Sequence, residues 1–189
     1  GLTTLMTQAN NPDMFLIPEP SALLTTLSDQ TYIGAYVPHN LVLMSDIHRL
    51  KYAMYLNNDA YDALKKMIDA MPDEIANDFY VKEAYTSFTD LQYSNPNLAG
   101  KDERQLGHTV SIASKSIAYQ EFETSALSQW LETHSYEYGF ILRYPKRMAS
   151  STNHVYDAHY YRYVGKKNAN KIYKENSCIE EYNQKEAAE

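Results

Sequence analysis

Cysteine is nearly absent from this sequence: among its 189 residues only Cys178 is of that type. A single cysteine excludes an intrachain disulfide framework and a zinc site built from several thiolates. It does not decide the redox compartment, because both cytoplasmic proteins and some secreted ones use little cysteine.

Long apolar runs and clusters of basic residues are also missing. No stretch approaches the roughly 18–20 apolar residues that a membrane-spanning helix needs. The net charge is -7, and no group of Lys and Arg reaches the scale of a nucleic-acid footprint. We therefore expect neither a membrane span nor a nucleic-acid partner.

Tyrosine, in contrast, is abundant, with 18 residues against 5 Phe and 1 Trp. Its ring is apolar while its hydroxyl needs a hydrogen-bond partner, so tyrosine suits partly solvated surfaces and grooves. Compositional drift in the source genome is the other explanation. The length fits one domain with a sizeable core.

The N-terminal part differs in composition from the rest. Residues 1–20 are rich in Thr, Asn, Gln and Pro, which predicts a tail or linker. We divide the chain into a tail and linker, residues 1–38, and one domain, residues 39–189. The chain begins Gly1-Leu2 without Met, from which we expect that a signal or anchor segment has been removed.

Hydrophobic periodicity predicts helices and strands that alternate irregularly. A helix begins near Asn58, a candidate N-cap, and stops at Pro72. Two more helices are predicted over 124–138, with Gly139 as the C-terminal cap and His134 on the apolar face, and over 166–176. Strands are predicted over 79–85, 110–114, 140–144 and 160–164. Without a regular βαβ rhythm, this order indicates an α+β fold.

Two blocks near the C-terminus are the most informative. Residues 138–146 read Tyr-Gly-Phe-Ile-Leu-Arg-Tyr-Pro-Lys, and residues 156–165 read Tyr-Asp-Ala-His-Tyr-Tyr-Arg-Tyr-Val-Gly. They closely resemble the VanY-type D-alanyl-D-alanine carboxypeptidases, zinc peptidases that trim bacterial cell-wall stem peptides. The resemblance covers roughly residues 40–182. It implies a single domain of the hedgehog/DD-peptidase type, with a small, mostly antiparallel sheet flanked by helices.

The resemblance also implies a catalytic position and a zinc-ligand position in the second block. In the family it reads roughly Tyr-Glu-Pro-Trp-His-Tyr-Arg-Tyr-Val-Gly, with the Glu as general base and the His as zinc ligand. An alignment without gaps puts Asp157 at the Glu, His159 at the Trp and Tyr160 at the His. A slip of one residue would make His159 the ligand, but a slip in a strand turns every side chain to the opposite face. A bulge at 160–161 would permit it locally, so both registers stay open.

The family's substrate-binding strand ends Ser-Gly-Tyr-Arg-Ser-Tyr, and its Arg contacts the substrate carboxylate. Residues 83–88 here read Glu-Ala-Tyr-Thr-Ser-Phe. The resemblance thus implies Tyr85, Thr86 and Ser87 as substrate-binding residues, with Thr86 in place of the Arg. A neutral hydroxyl cannot supply the bidentate charged fork that a carboxylate prefers.

The remaining family motif is Ser-Glu-His-x-x-Gly-x-Ala-x-Asp, which supplies a zinc-binding His and, seven residues later, a zinc-binding Asp. Anchored on His108 and Ala113, the alignment puts Lys115 at the Asp. A protonated ammonium has no lone pair and repels a divalent cation. We hypothesise that Lys115 instead pairs with Asp157 and that no cofactor is bound.

These substitutions predict a VanY-like protein that is catalytically inactive and binds cell-wall stem peptides or a protein partner, outside the cell or in its envelope. The alternative is an active zinc D,D- or L,D-carboxypeptidase with a divergent metal site, using His159 with Asp157 or His154. Arg143 and Arg162 are expected to form structural ion pairs. A polar, open cleft would favour peptide binding, and a plugged cleft a scaffold role.

Overall fold

The computed structural model describes residues 14–188 as an assembly of short strands and helices. Its β-strands are β1 Phe15–Leu16, β2 Thr31–Tyr32, β3 Leu41–Leu43, β4 Tyr55–Asn57, β5 Phe79–Glu83, β6 Thr109–Ser114, β7 Phe140–Tyr144 and β8 Asp157–Tyr163. Its α-helices are α1 Asn58–Ala70, α2 Asp73–Asp78, α3 Phe88–Ser94, α4 Ala126–His134, α5 Ala149–Thr152, α6 Lys166–Lys174 and α7 Ile179–Ala188. Shorter 3-10 helices cover Pro96–Leu98, Glu103–Leu106, Tyr119–Thr124 and Ser135–Tyr138.

The central sheet has four strands in the order β5-β6-β8-β7, and every neighbouring pair is antiparallel. Two small two-stranded pairs lie beside it: β3 with β4, antiparallel, and β1 with β2, parallel. The predicted α+β class with a small, mostly antiparallel sheet is confirmed.

Helix α1 covers one face of the sheet and forms the main core with it. Its buried residues include Leu64 and Met67, which pack with Val110 and Ile112 of β6. The predicted N-cap was one residue too late: the side chain of Asn57, not Asn58, accepts hydrogen bonds from the first backbone N–H groups of the helix. Because side chains alternate along a strand, the odd-numbered residues of β6 face away from this core.

The predicted helix over 124–138 is interrupted. It divides into the 3-10 helix Tyr119–Thr124, helix α4 and the 3-10 helix Ser135–Tyr138. Gly139 ends it with a φ of +89°, a conformation that suits glycine. His134 is half-buried and stacks on Trp130 with ring centroids 4.7 Å apart, so it lies at the rim of the core. The last predicted helix ends at Lys174, and α7 after it was not predicted.

Part of the predicted tail contributes to the fold. Residues 1–13 lie outside the described range, but β1 and β2 pair with each other. Farther along, the carbonyls of Leu23 and Thr25 accept hydrogen bonds from Arg162. The division of the chain at residue 38 stays a prediction.

A cluster of four charged residues, three of them buried and one half-buried, joins distant parts of the chain. Glu103 accepts hydrogen bonds from Arg143 and Arg162, each with a shortest distance of 2.7 Å. Arg143 also donates to both carboxylate oxygens of Glu180, at 2.8 and 2.6 Å. The predicted structural ion pairs of Arg143 and Arg162 are confirmed. We call these four residues the buried quartet.

Two positive and two negative charges balance in the buried quartet. Burial alone would raise the pKa of Glu103, but the charges of Arg143 and Arg162 outweigh it and lower this pKa to about 2. Glu103 is therefore a carboxylate throughout the physiological range, and it holds two guanidinium groups that are otherwise cut off from water.

We predict that Glu103→Gln lowers the free energy of unfolding by about 3–5 kcal/mol, because it leaves two buried guanidinium groups without their shared carboxylate. Urea denaturation followed by circular dichroism measures the change. The matched control is Glu123→Gln, which removes an exposed ion pair with Lys146 and should cost less than about 1 kcal/mol. Equal effects of the two variants would contradict the structural role of Glu103.

The lowered pKa of Glu103 also predicts how stability depends on pH. Its pKa of about 2 in the folded state lies below the ordinary value of 4.5. The stabilisation is therefore fully present above pH 4.5 and is lost as the pH falls towards 2. NMR titration of the Glu103 carboxyl carbon should give a midpoint near 2, together with falling unfolding free energy in this window. A midpoint at or above 4.5 would contradict the prediction.

Candidate functional site

Three side chains form a row across the central sheet, on the face opposite the main core. Glu83 of β5 pairs with Ser111 of β6, and Ser111 pairs with Tyr160 of β8. The hydroxyl of Tyr160 donates to Oε2 of Glu83 at 2.6 Å. Ser111 is fully buried between them.

Arg104 reaches this row from the 3-10 helix Glu103–Leu106. Its Nη1 lies 3.3 Å from Oε2 of Glu83. Its Nε and Nη2 donate to the two carboxylate oxygens of Asp102, at 3.0 and 2.8 Å. The guanidinium group is thus enclosed by two carboxylates, one of them in the bidentate geometry that arginine favours.

The electrostatics fix the protonation states in this cluster. The hydrogen bonds that Arg104 donates to Asp102 raise the pKa of Arg104 above its ordinary value. Burial, followed by the hydrogen bond to Glu83, raises the pKa of the Tyr160 phenol. Arg104 is therefore cationic and Tyr160 neutral wherever the protein is folded near neutral pH.

Gly107 indicates how this cluster relates to the family's zinc motif. It ends the 3-10 helix with a φ of +82°, and a Cβ atom there would lie 3.0 Å from the side chain of Pro38. Glycine is therefore required at this position. With the motif's Gly on Gly107, its Glu falls on Glu103, its His on Arg104 and its Asp on Ser111. The three zinc-ligand positions then become Arg104, Ser111 and Tyr160.

These residues do not fit a zinc ion. A guanidinium group has no lone pair to donate and carries a permanent positive charge. A serine hydroxyl and a neutral phenol are outside the imidazole, thiolate and carboxylate ligands that zinc uses. Within residues 14–188, no group of three His, Cys, Asp or Glu side chains is placed to hold a metal.

His108 and Lys115, predicted at zinc-ligand positions, are not part of the cluster. His108 precedes β6 and lines a separate cavity with Pro38 and His39. Burial lowers its pKa to about 3, so the ring is neutral. Lys115 follows β6, where its ammonium contacts His48.

Strand geometry explains this separation. His108, as an even-numbered residue, belongs to the face opposite Ser111. Lys115 lies four residues beyond Ser111, which is about 13 Å along a strand. The alignment on His108 matched a residue type that can bind zinc. It did not use the four-residue spacing of Glu103 and Gly107, which equals the spacing of Glu and Gly in the motif.

His159 is buried away from the cluster. Its ring stacks between Tyr119 and Phe122, with centroid distances of 3.8 and 4.4 Å. Its two ring nitrogens lie 2.7 and 3.0 Å from the backbone carbonyls of Ile112 and Tyr119. The pairs between β8 and β6 run without interruption from Tyr160 to Arg162, although β8 has an irregularity opposite β7. Tyr160, not His159, therefore occupies the row.

Asp157 does not form the expected ion pair with Lys115 in the described part of the chain. It stands at the start of β8, and its Oδ1 accepts a hydrogen bond from the backbone N–H of His159 at 2.9 Å. Its correspondence to the family's general base stays a prediction.

The three predicted substrate-binding residues are half-buried next to the cluster. The backbone N–H of Thr86 donates to the carbonyl of Arg104, and its hydroxyl donates to the carbonyl of Ala84. Ser87 caps helix α3 by accepting a hydrogen bond from the N–H of Asp90 at 3.0 Å. The backbone N–H of Tyr85 donates to the carbonyl of Tyr55. Their contact with substrate stays a prediction.

A cleft of about 580 Å³ opens over the cluster. Its lining is mixed and includes charged, amide and aromatic side chains, among them Asp29, Lys101, Asp102, Arg104, Tyr144 and Tyr160. The cleft is open to solvent, and its lining is about equally polar and apolar. No described helix is long and apolar enough to span a bilayer.

Comparisons with known proteins give one consistent result. Residues 79–166 match the sequence model of the VanY family, D-alanyl-D-alanine carboxypeptidase. YodJ of Bacillus subtilis (strain 168), whose name assigns it to the carboxypeptidases, is 29% identical over 191 residues, covering 89% of this chain and 70% of YodJ. A D-alanyl-D-alanine carboxypeptidase of Enterococcus faecalis is 34% identical over 124 residues, covering 65% of this chain and 44% of that protein.

A solved structure supports the same relationship. The LdcB LD-carboxypeptidase, described for its recognition of peptidoglycan, superimposes with a TM-score of 0.81. It is 27% identical in sequence, and the match covers 93% of this chain and 92% of LdcB.

We predict that the triple variant Arg104→His, Ser111→Asp, Tyr160→His binds about one zinc ion per chain, because it places two imidazoles and a carboxylate where the side chains converge. The matched control, Lys115→Asp with Tyr160→His, keeps His108 and follows the other alignment. Elemental analysis after dialysis measures bound zinc, and circular dichroism checks that both variants fold. Zinc in the control and none in the triple variant would contradict the alignment on Gly107.

Proposed function

Because the chain belongs to the VanY-type D-alanyl-D-alanine carboxypeptidase family, we propose that it is a catalytically inactive member that binds cell-wall stem peptides. The observation that carries this proposal is the placement of Arg104 between Asp102 and Glu83. In the alignment on Gly107, this cation of the chain itself takes the place of a zinc ligand, which supports the proposal.

Zinc in this fold would polarise the scissile carbonyl and activate water when bound. Here the chain's residues perform other tasks. Arg104 neutralises Asp102 and Glu83, and Tyr160 donates its proton to Glu83 in a hydrogen bond. Asp157 accepts a hydrogen bond from the backbone of its own strand. None of these groups supplies a metal-bound nucleophile.

The cleft supports binding as the remaining function. A cleft of about 580 Å³ lies over the cluster, within the usual range of small-molecule sites. The lining combines the Tyr144 ring with the amides of Asn97 and Asn153, groups that can pack on side chains and bond peptide units. A domain of this kind belongs in the cell envelope, where its ligand is found.

We expect the purified protein to contain far less than one zinc per chain and to release no D-alanine from a stem pentapeptide, because its cluster lacks zinc ligands. Elemental analysis and a D-alanine release assay test both points. The Enterococcus faecalis carboxypeptidase serves as the positive control for the assay. Stoichiometric zinc with turnover would support the active zinc carboxypeptidase instead.

The same pentapeptide should bind saturably in the cleft, as isothermal titration calorimetry or NMR would detect. Asn97→Trp adds bulk at the exposed cleft wall and should weaken binding by about tenfold or more, since a blocked pocket loses most ligand contacts. Gln92→Trp adds the same bulk on exposed helix α3, outside the cleft lining, and should leave binding unchanged. Equal affinities of the two variants would contradict binding in this cleft.

A further inference from the structure

We propose that a second cavity, separate from the cleft, is a binding site for a neutral saccharide. It has a volume of about 320 Å³, and none of the described residues lines both it and the cleft. We call it the His108 cavity. Its lining includes Tyr36, His39, Asn40, Asp59, His108 and Tyr163.

His108 lines this cavity and is not fully hydrogen-bonded. Only 7% of its surface is exposed, and its Nδ1 has no hydrogen-bond partner within residues 14–188. Its neutral imidazole carries one donor and one acceptor nitrogen. Because buried polar groups in folded proteins are nearly always hydrogen-bonded, the ring calls for a ligand group that can donate or accept. A hydroxyl group does both.

The walls of the His108 cavity are tied together by backbone hydrogen bonds. The N–H of Tyr163, at the end of β8, donates to the carbonyl of His108 at 2.9 Å. The N–H of Asn58, the first residue of α1, donates to the carbonyl of Asn40 at 2.7 Å. The cavity is therefore formed before a ligand arrives, and little binding free energy is lost in ordering it.

Tyr163 gives the cavity an aromatic wall in a fixed position. Its ring meets that of Phe140 edge-on, with centroids 5.4 Å apart, and its centroid lies 6.4 Å from that of His108. A Cβ atom at Gly139 would lie only 2.8 Å from the ring, so the ring packs closely on that glycine. Since Tyr163 is half-buried, part of its surface stays free to contact the C–H groups of a sugar.

The charges around the cavity favour a neutral ligand. Among the described lining residues other than histidine, Asp59 alone is charged. It lies in the first turn of α1, where the helix dipole offsets part of its charge. Lys66 and Lys166 line a neighbouring hollow instead, and the buried Arg162 is already bonded to Glu103. A ligand carboxylate or phosphate therefore finds no free cation in the cavity.

A saccharide matches the polar groups that remain. The side-chain oxygen of Asn57 caps α1, which leaves its NH2 group as a donor. Asn40 offers an amide, Asp59 a carboxylate and His108 an imidazole. Each sugar hydroxyl can bond any of these groups because it both donates and accepts. The volume lies at the lower end of the range for small-molecule sites, which suits a monosaccharide or a disaccharide.

Three sugars with the same ring and different charge test the proposal on the full chain. Glucose is neutral, glucosamine carries an ammonium group and glucuronic acid carries a carboxylate. NMR resonances of the His108 imidazole and the Tyr163 ring report binding in this cavity.

We expect glucose to shift both sets of resonances with a Kd on the order of 1 mM, because so small a ligand makes few contacts. Glucuronic acid should bind about threefold more weakly than glucose, since its carboxylate faces Asp59 without a cation. Glucosamine should bind no more than about twofold more tightly than glucose, since the charge of Asp59 is partly offset.

His108→Leu removes the ring nitrogens and should weaken glucose binding by about fivefold, the loss of one hydrogen bond. It should not lower the free energy of unfolding, because the Nδ1 of His108 has no partner to lose. The matched control His134→Leu, half-buried at the end of α4 and outside the cavity lining, should leave glucose binding unchanged.

Asn40→Trp gives a second test that leaves the buried residues as they are. It adds bulk at the exposed rim of the cavity and should weaken glucose binding by about tenfold or more, since a blocked pocket loses most ligand contacts. Gln92→Trp, on α3 outside the lining, adds the same bulk and should have no effect.

The proposal is overturned if glucose shifts neither His108 nor Tyr163 at about ten times the expected Kd. Preference for glucuronic acid, or for glucosamine by more than about twofold, would show a site for a charged ligand and overturn it as well. Equal glucose affinities of Asn40→Trp and Gln92→Trp would refute binding in this cavity. Peptide binding in the cleft is measured separately, so either proposal can fail while the other stands.

Discussion

The buried quartet is the interaction on which the remaining structure depends. Glu103 bonds Arg143 of β7 and Arg162 of β8, while Arg143 reaches Glu180 of helix α7 and Arg162 reaches the N-terminal carbonyls of Leu23 and Thr25. One carboxylate thereby connects the sheet with both ends of the described chain. Because buried charges are costly unless fully paired, this arrangement also fixes the conformation of the 3-10 helix that carries Arg104.

The quartet therefore sets the position of the altered site. Glu103 and Arg104 are adjacent in the 3-10 helix. The side chain of Glu103 points into the quartet, and the side chain of Arg104 contacts Glu83 of the sheet. Asp102 completes the turn by accepting hydrogen bonds from both the backbone and the guanidinium group of Arg104. Structural and site residues alternate along three consecutive positions, and a change at any one of them affects both roles.

Local patterns in the sequence predicted most of the fold but only part of the site. Strand β7 and the cap at Gly139 followed from alternation and glycine placement, whereas the sequence left the register of His159 and Tyr160 open and the strand pairing decides it. Glu103 and Arg104 were missed because the histidine at position 108 suggested a zinc ligand. The sequence does not show that Gly107 has a positive φ, which is what identifies it as the glycine of the motif. Helix α7 was missed because it is held by contacts with distant parts of the chain, among them the bond of Glu180 with Arg143, 37 positions away, and the packing of Ile179 on Ile141.

The pairing of Arg104 with Asp102 bears on whether this part of the fold depends on the concentration of free metal. A metal centre is occupied in proportion to the free metal around it, so its architecture varies with concentration and with chelators. An ion pair between residues of one chain has a fixed stoichiometry from the moment the chain folds. The geometry that Arg104 and Asp102 impose on this turn is therefore set by the chain alone and needs no metal to form.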